Sequence, residues 1–144
     1  MKYQSGTAGR IFVARFEDHD DILAGLVRIA RDEDIRAASL QIVGGMREGS
    51  IVVGPEKDEI PPKPVWRKLG ESNEVLGFGT IFWEGDTPRV HLHGAFGRRD
   101  AVKVGCVREN SETFLVLEAI ITEIAEVRIG RELDPASNMV LLKL

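Results

Sequence analysis

One stretch of this chain has the periodicity of an α-helix, and almost every other apolar segment has that of a β-strand. In residues 18–35, "DHDDILAGLVRIARDEDI", apolar side chains recur at intervals of three and four. The stripe they form consists of Ile22, Leu23, Leu26, Val27 and Ala30. Asp18, Asp20 and Asp21 precede it and can accept hydrogen bonds from the free N–H groups of a first helical turn. One amphipathic helix is therefore predicted.

The strand-like segments alternate apolar and polar residues or are rich in β-branched side chains. They cover residues 9–17, 37–45, 49–54, 74–85, 88–98, 113–124 and a short segment after a turn at Asp134-Pro135. The segment 113–124 also allows helical spacing, at Leu115, Ala119 and Ile120, and is predicted to be a strand because it is rich in β-branched residues. The segment 55–72 has four of the six prolines, which predicts either a long connection or an edge strand flanked by loops. Many strands against one helix indicate an α+β fold with a mostly antiparallel sheet.

Length, charge and cysteine content restrict the class of protein. A chain of 144 residues suits a single domain, predicted here as 1–144, and no run approaches the ~18 apolar residues of a membrane helix. The formal net charge of -4 provides no broad positive field, so direct nucleic-acid binding by this chain alone is not expected. The start of the chain does not resemble a secretory signal and there is one cysteine, which favours a cytoplasmic location.

The stretch "VHLHGAF", residues 90–96, contains the residues with the clearest chemistry. Side chains at i and i+2 of a strand share a face, so His91 and His93 can bind one ion while Leu92 points the other way. A zinc site normally needs a third protein ligand, and Cys106 follows His93 by thirteen positions. Two further interpretations stay open at this point: two hydrogen-bonded histidines near a core cysteine, or a cysteine nucleophile with a histidine base.

Three other groups of polar residues are of interest. His19 stands in an acidic stretch and is predicted to be solvated. The run Arg98, Arg99, Asp100 is predicted to form a polar turn. Glu48 and Glu118 are conceivable catalytic bases, but nothing in the sequence places either one near the histidines.

Several segments together resemble the PPC domain, the "plants and prokaryotes conserved" domain, in its prokaryotic stand-alone type without an AT-hook. "IRAASLQIVGGMREGSIVVG" is similar to the strand-Gly-x-x-Arg-Glu-strand segment of that family, with Gly44, Arg47 and Glu48 at matching positions. "PRVHLHGAF" resembles its His-x-His strand, and "VGCV" falls where many prokaryotic members have Gly-Gly-His. "GRELDP" resembles its charged segment before a last strand.

The resemblance implies an α+β fold, a homotrimer and a metal site made of three histidines in prokaryotic members. His91 and His93 match that site directly, whereas Cys106 replaces its third histidine. Because cysteine is a good zinc ligand, His91, His93 and Cys106 are predicted to bind zinc or a similar divalent transition metal.

Two alternative functions follow from the same resemblance. The first is a DNA-associated or transcription-related module that binds protein partners; the AT-hook sequence Arg-Gly-Arg-Pro of plant members is absent from this chain. The second is a metal-dependent hydrolase or lyase acting on a small molecule, since an open zinc position can activate water. Whether the protein is an enzyme stays open at this level.

Overall fold

The computed structural model describes residues 1–144 and contains one helix and eight strands. The helix is α1 (Ile22–Asp32). The strands are β1 (Thr7–Glu17), β2 (Ala37–Pro55), β3 (Pro64–Leu69), β4 (Asn73–Glu84), β5 (Thr87–Arg98), β6 (Ala101–Ala125), β7 (Gly130–Asp134) and β8 (Met139–Lys143). All strand pairs are antiparallel, which confirms the predicted α+β class with one helix.

Helix α1 begins where the aspartates end. The carboxylate of Asp21 caps it by accepting a 2.8 Å hydrogen bond from the N–H of Ala24. Ile22, Leu26 and Ala30 are fully buried, so the predicted stripe faces the interior of the protein. The helix ends earlier than residue 35, because Asp34 adopts a positive φ of 50° that a right-handed helix does not allow. No helix here has the length and apolar character needed to cross a bilayer.

The main sheet has six strands in the order β1-β6-β5-β4-β2-β3. Strand β2 also pairs with β6, so the pairings β2–β4, β4–β5, β5–β6 and β6–β2 form a closed circuit. Strands β7 and β8 form a separate two-stranded sheet at the end of the chain. The circuit gives the sheet an inner face, which holds the apolar core, and an outer face.

The prediction of separate strands at 37–45 and 49–54 was wrong, since both belong to the continuous strand β2. Gly44 and Gly45 do not form a turn; they let β2 approach β6 closely. A Cβ atom at Gly44, where φ is 142°, would lie 2.4 Å from the carbonyl oxygen of Val116. The two glycines are required by strand contact rather than by chain reversal.

Two other segments differ from the predicted boundaries. Of the alternatives for 55–72, the edge strand is the one observed, as β3 pairs only with β2. Strand β6 begins at Ala101, well before residue 113. Its first half includes the polar run "RENSE" at 108–112, which lacks strand-like alternation but is held by pairing with β2.

Candidate metal centre

His91 and His93 lie on β5 with their imidazoles on the exposed outer face of the sheet. Leu92 between them is 1% exposed and belongs to the apolar core. This is the alternation that a strand spacing of two predicts. The rings meet edge to face at 75°, and the two Nε2 atoms are 3.0 Å apart.

Cys106 joins the histidines through the pairing of β5 with β6. It stands directly opposite His93 in the antiparallel register and is 5% exposed. The potential ligand atoms of His91, His93 and Cys106 all lie within 4.8 Å of one another. We call these three residues the ligand group.

The distances and chemistry of the ligand group fit a zinc ion. In tetrahedral zinc coordination, two nitrogen ligands are about 3.3 Å apart, and a nitrogen and a sulfur about 3.6 Å. The Nε2 pair at 3.0 Å would have to open by a few tenths of an ångström, and the thiol lies within 4.8 Å of both imidazoles. Two imidazoles and a thiolate suit zinc far better than magnesium or calcium.

The electrostatics of the site favour the neutral forms of His91 and Cys106. Burial lowers the pKa of His91, and the neighbouring charges of His93, Arg131 and Arg108 lower it further. Burial raises the pKa of the Cys106 thiol, although Arg108 and Arg131 partly oppose that shift. The imidazole of His91 is therefore free to bind a metal at neutral pH, whereas the thiol is not activated in the absence of a metal.

The interpretation of Cys106 as a nucleophile has no support in this geometry. The thiol contacts the carbonyl oxygen of Val107 at 3.8 Å and makes no hydrogen bond to either imidazole. The conceivable bases Glu48 and Glu118 are not in the ligand group. In the strand register, Glu48 is opposite Glu112 on β6. Of the residues that line the space beside His91, only Glu84 has a carboxylate, and it forms an ion pair with Arg89 at 2.6 Å, so it is not free to act as a base there.

His19 was predicted to be solvated, and its side chain is indeed 68% exposed, yet it has ionic partners. Its Nδ1 lies 2.5 Å from Glu112 Oε1, and its Nε2 lies 3.2 Å from Asp18 Oδ2. Arg47 approaches the same two carboxylates, at 2.6 Å from Asp18 and 3.0 Å from Glu112. Asp18 also accepts a 2.7 Å hydrogen bond from the N–H of Leu115, which lowers the pKa of Asp18. These contacts connect the segment before α1 to β2 and β6.

Two arginines close to the ligand group were not singled out in the sequence. Arg108 lies two residues after Cys106 on β6, and Arg131 comes from β7. Both line a cleft that also includes His91. Arg108 had a local signal, its closeness to Cys106 in the sequence. Arg131 lies in "GRELDP", which resembles the charged segment of the family, but nothing in the sequence connects it to the histidines, because only the folding of the final hairpin brings it near Thr80 and His91.

Comparison with known proteins identifies the fold. The family model for the Plants and Prokaryotes Conserved (PCC) domain, the PPC domain introduced above, matches residues 3–125. Among curated proteins, none matches this chain in sequence.

Solved structures have the same fold at low sequence identity. The metal-containing protein AF0104 from Archaeoglobus fulgidus is 21% identical over 100% of both chains, with a TM-score of 0.87. A plant- and prokaryote-conserved (PPC) protein from Pyrococcus horikoshii is 20% identical over 100% of this chain and 99% of its own, with a TM-score of 0.84. A protein from Ralstonia eutropha JMP134 named "Putative DNA-binding protein" is 22% identical over 92% of this chain and 90% of its own, with a TM-score of 0.78. With the family model covering most of the sequence, the chain belongs to the Plants and Prokaryotes Conserved domain family.

Proposed function

We propose that this chain is a homotrimeric PPC-domain protein that binds zinc, or a similar divalent transition metal, through His91, His93 and Cys106. The observation that carries the proposal is the convergence of two imidazole nitrogens and one thiol within 4.8 Å, from two different strands. The fold neighbour from Archaeoglobus fulgidus is named a metal-containing protein, which supports it.

Three protein ligands leave one coordination position open on a tetrahedral zinc ion, which would supply Lewis acidity there. The chain itself provides two imidazoles on the exposed face and a buried thiol on the neighbouring strand. Because no carboxylate belongs to the ligand group, no acid or base is assigned and the site is proposed as a binding site.

The proposed trimer is supported by exposed apolar side chains on the outer face of the sheet. Val43, Leu76 and Val104 are 52%, 57% and 62% exposed, and Phe78 is 60% exposed. The register places Val43 beside Leu76 and Phe78 beside His93, so this outer apolar face adjoins the ligand group. A contiguous exposed apolar surface is typical of an interface, and we propose that further copies of this chain cover it.

Two further proposals concern the whole chain. We propose that residues 1–144 form one PPC-like domain, since the family match covers residues 3–125 and α1 packs on the same core as the main sheet. We also propose a cytoplasmic location, because Cys106 is a buried free thiol of the kind that persists in a reducing compartment.

Elemental analysis tests the metal proposal. Protein purified without a histidine tag or added metal is expected to contain about one zinc-class ion per protomer. Removing the ion with a chelator is expected to lower the melting temperature, since an ion that binds only the folded state stabilises it. A metal-free preparation whose melting temperature does not change on adding either zinc or chelator would contradict the proposal.

Light scattering after size-exclusion chromatography tests the trimer. The expected mass is three times the chain mass of 15.9 kDa. Phe78→Glu is expected to shift the protein towards monomer, because it places a charge on the outer apolar face. Ile60→Glu, at a 75% exposed position in the loop before β3, is the control and should stay trimeric. A monomeric wild-type protein would refute this part of the proposal.

A further inference from the structure

A cleft of about 700 Å³ opens beside His91 on the outer face of the sheet. Thr80 and Phe82 of β4 form one side together with His91 of β5. The residues Met139–Leu142 of β8 form an apolar wall, and each is between 36% and 44% exposed. Arg108 and Arg131 also line this space, which we call the arginine cleft.

The net charge of the side chains that line the arginine cleft is positive. Its other two charged residues, Arg89 and Glu84, form an ion pair with each other at 2.6 Å. Neither Arg108 nor Arg131 makes a salt bridge with any carboxylate of the chain. Two unneutralised guanidinium groups therefore face one cleft in a chain whose formal net charge is -4.

Arg131 also has unused hydrogen-bonding capacity. Its Nη2 donates a long bond of 3.4 Å to Thr80 Oγ1, and its buried Nε–H has no acceptor. A buried N–H without a partner is costly, particularly on a charged group. The guanidinium of Arg131 also lines the cleft, and its planar shape matches a carboxylate in a two-bond arrangement.

The residues around the two arginines indicate the charge and the apolar character of the ligand. Burial lowers the pKa of Arg131, so this charge is partly removed from water and gains more from an opposite charge. Arg131 and Arg108 line the same cleft as His91, so both lie beside the ligand group. The apolar wall of β8 favours a ligand with an apolar body over a fully hydrated inorganic ion.

We propose that the arginine cleft binds a small organic carboxylate, with its head held by Arg131 and Arg108 and its apolar body packed against Met139–Leu142. The inference rests on the proposed function in one respect: the carboxylate would lie beside the proposed metal ion. It adds a ligand class to a site for which the geometry otherwise indicates only a metal.

Calorimetric titration of hexanoate into the zinc-loaded, native oligomer tests this assignment. Saturable binding is expected for hexanoate, whereas hexanol, which has the same body without the charge, should not bind. Arg131→Met and Arg108→Met are each expected to weaken hexanoate binding at least about tenfold, since each removes a charged hydrogen-bond donor. Arg108 is exposed on the strand surface, so its variant keeps the test informative if Arg131→Met fails to fold.

Arg128→Met is the matched control, because Arg128 is exposed, lies three residues from Arg131 and does not line the cleft. Its hexanoate affinity should equal that of the wild type. If inorganic phosphate binds more tightly than hexanoate and hexanoate is displaced by it, the organic carboxylate assignment is wrong. Equal hexanoate affinity in the wild type and both cleft variants would overturn the assignment as well.

The same titration on chelated protein separates this inference from the proposed function. If no metal binds but hexanoate still binds in an Arg131-dependent manner, the metal proposal fails and the carboxylate cleft stands. If zinc binds stoichiometrically and hexanoate does not saturate, the carboxylate cleft fails and the metal proposal stands.

Discussion

Replacement of Cys106 by alanine is expected to lower the zinc affinity by at least about a hundredfold, more than the loss of an outer-shell partner usually costs. Two imidazoles alone do not hold zinc in a stable four-coordinate site, and the thiolate is the only anionic ligand in the group. Competition with a chromophoric chelator measures the affinity. Zinc binding by Cys106→Ala as tight as that of the wild type would show that the thiol is not a ligand.

Two further variants at the same position separate ligation from packing. Cys106→Ser has nearly the same volume but offers a poor zinc ligand, so its affinity should fall with that of Cys106→Ala. Cys106→His recreates the three-histidine set that the family resemblance implies, and its affinity is expected to stay within about tenfold of the wild type. If the serine variant kept full affinity, the contribution of Cys106 would be structural.

The position of Cys106 opposite His93 could be predicted from the sequence, because a short turn between β5 and β6 determines it. The polar turn predicted at Arg98, Arg99 and Asp100 is observed at Arg99 and Asp100, with Arg99 at a φ of 54°, whereas Arg98 is the last residue of β5. The turn pairs Arg98 with Ala101, and the same register then places His93 opposite Cys106. What was missing was the start of β6 at Ala101, because the polar run "RENSE" at 108–112 separates "AVKVGCV" from the apolar second half of the strand. In a hairpin, the length of the turn determines which residues of the two strands pair, and this register extends along both strands.

The contacts of Arg131 and Arg47 were beyond sequence reasoning for a different reason. Arg131 reaches Thr80 only because the β7–β8 hairpin folds over β4. Arg47 meets Asp18 and Glu112 only because three elements distant in sequence converge. Local periodicity reports which face of an element is apolar, and it contains no information about which distant element covers that face.

Leu92→Ala is expected to reduce the free energy of unfolding by about 2–5 kcal/mol, the range for removing a buried leucine side chain from a packed core. Leu92 is 1% exposed, between two exposed histidines, and belongs to the same core as Leu26 of α1. Urea denaturation of metal-free protein at a fixed protein concentration measures the change, as a lower midpoint with an unchanged slope. Leu133→Ala, at a 58% exposed position on β7, should change stability by less than about 0.5 kcal/mol.

The same variant tests whether the two faces of β5 act independently. Because Leu92 points into the core while His91 and His93 point outward, folded Leu92→Ala protein is expected to bind the same amount of zinc per protomer as the wild type. Loss of zinc from a variant that stays folded would mean that the core positions the imidazoles. Retention of zinc with lower stability would mean that the strand backbone, held by its pairing with β4 and β6, is sufficient to position them.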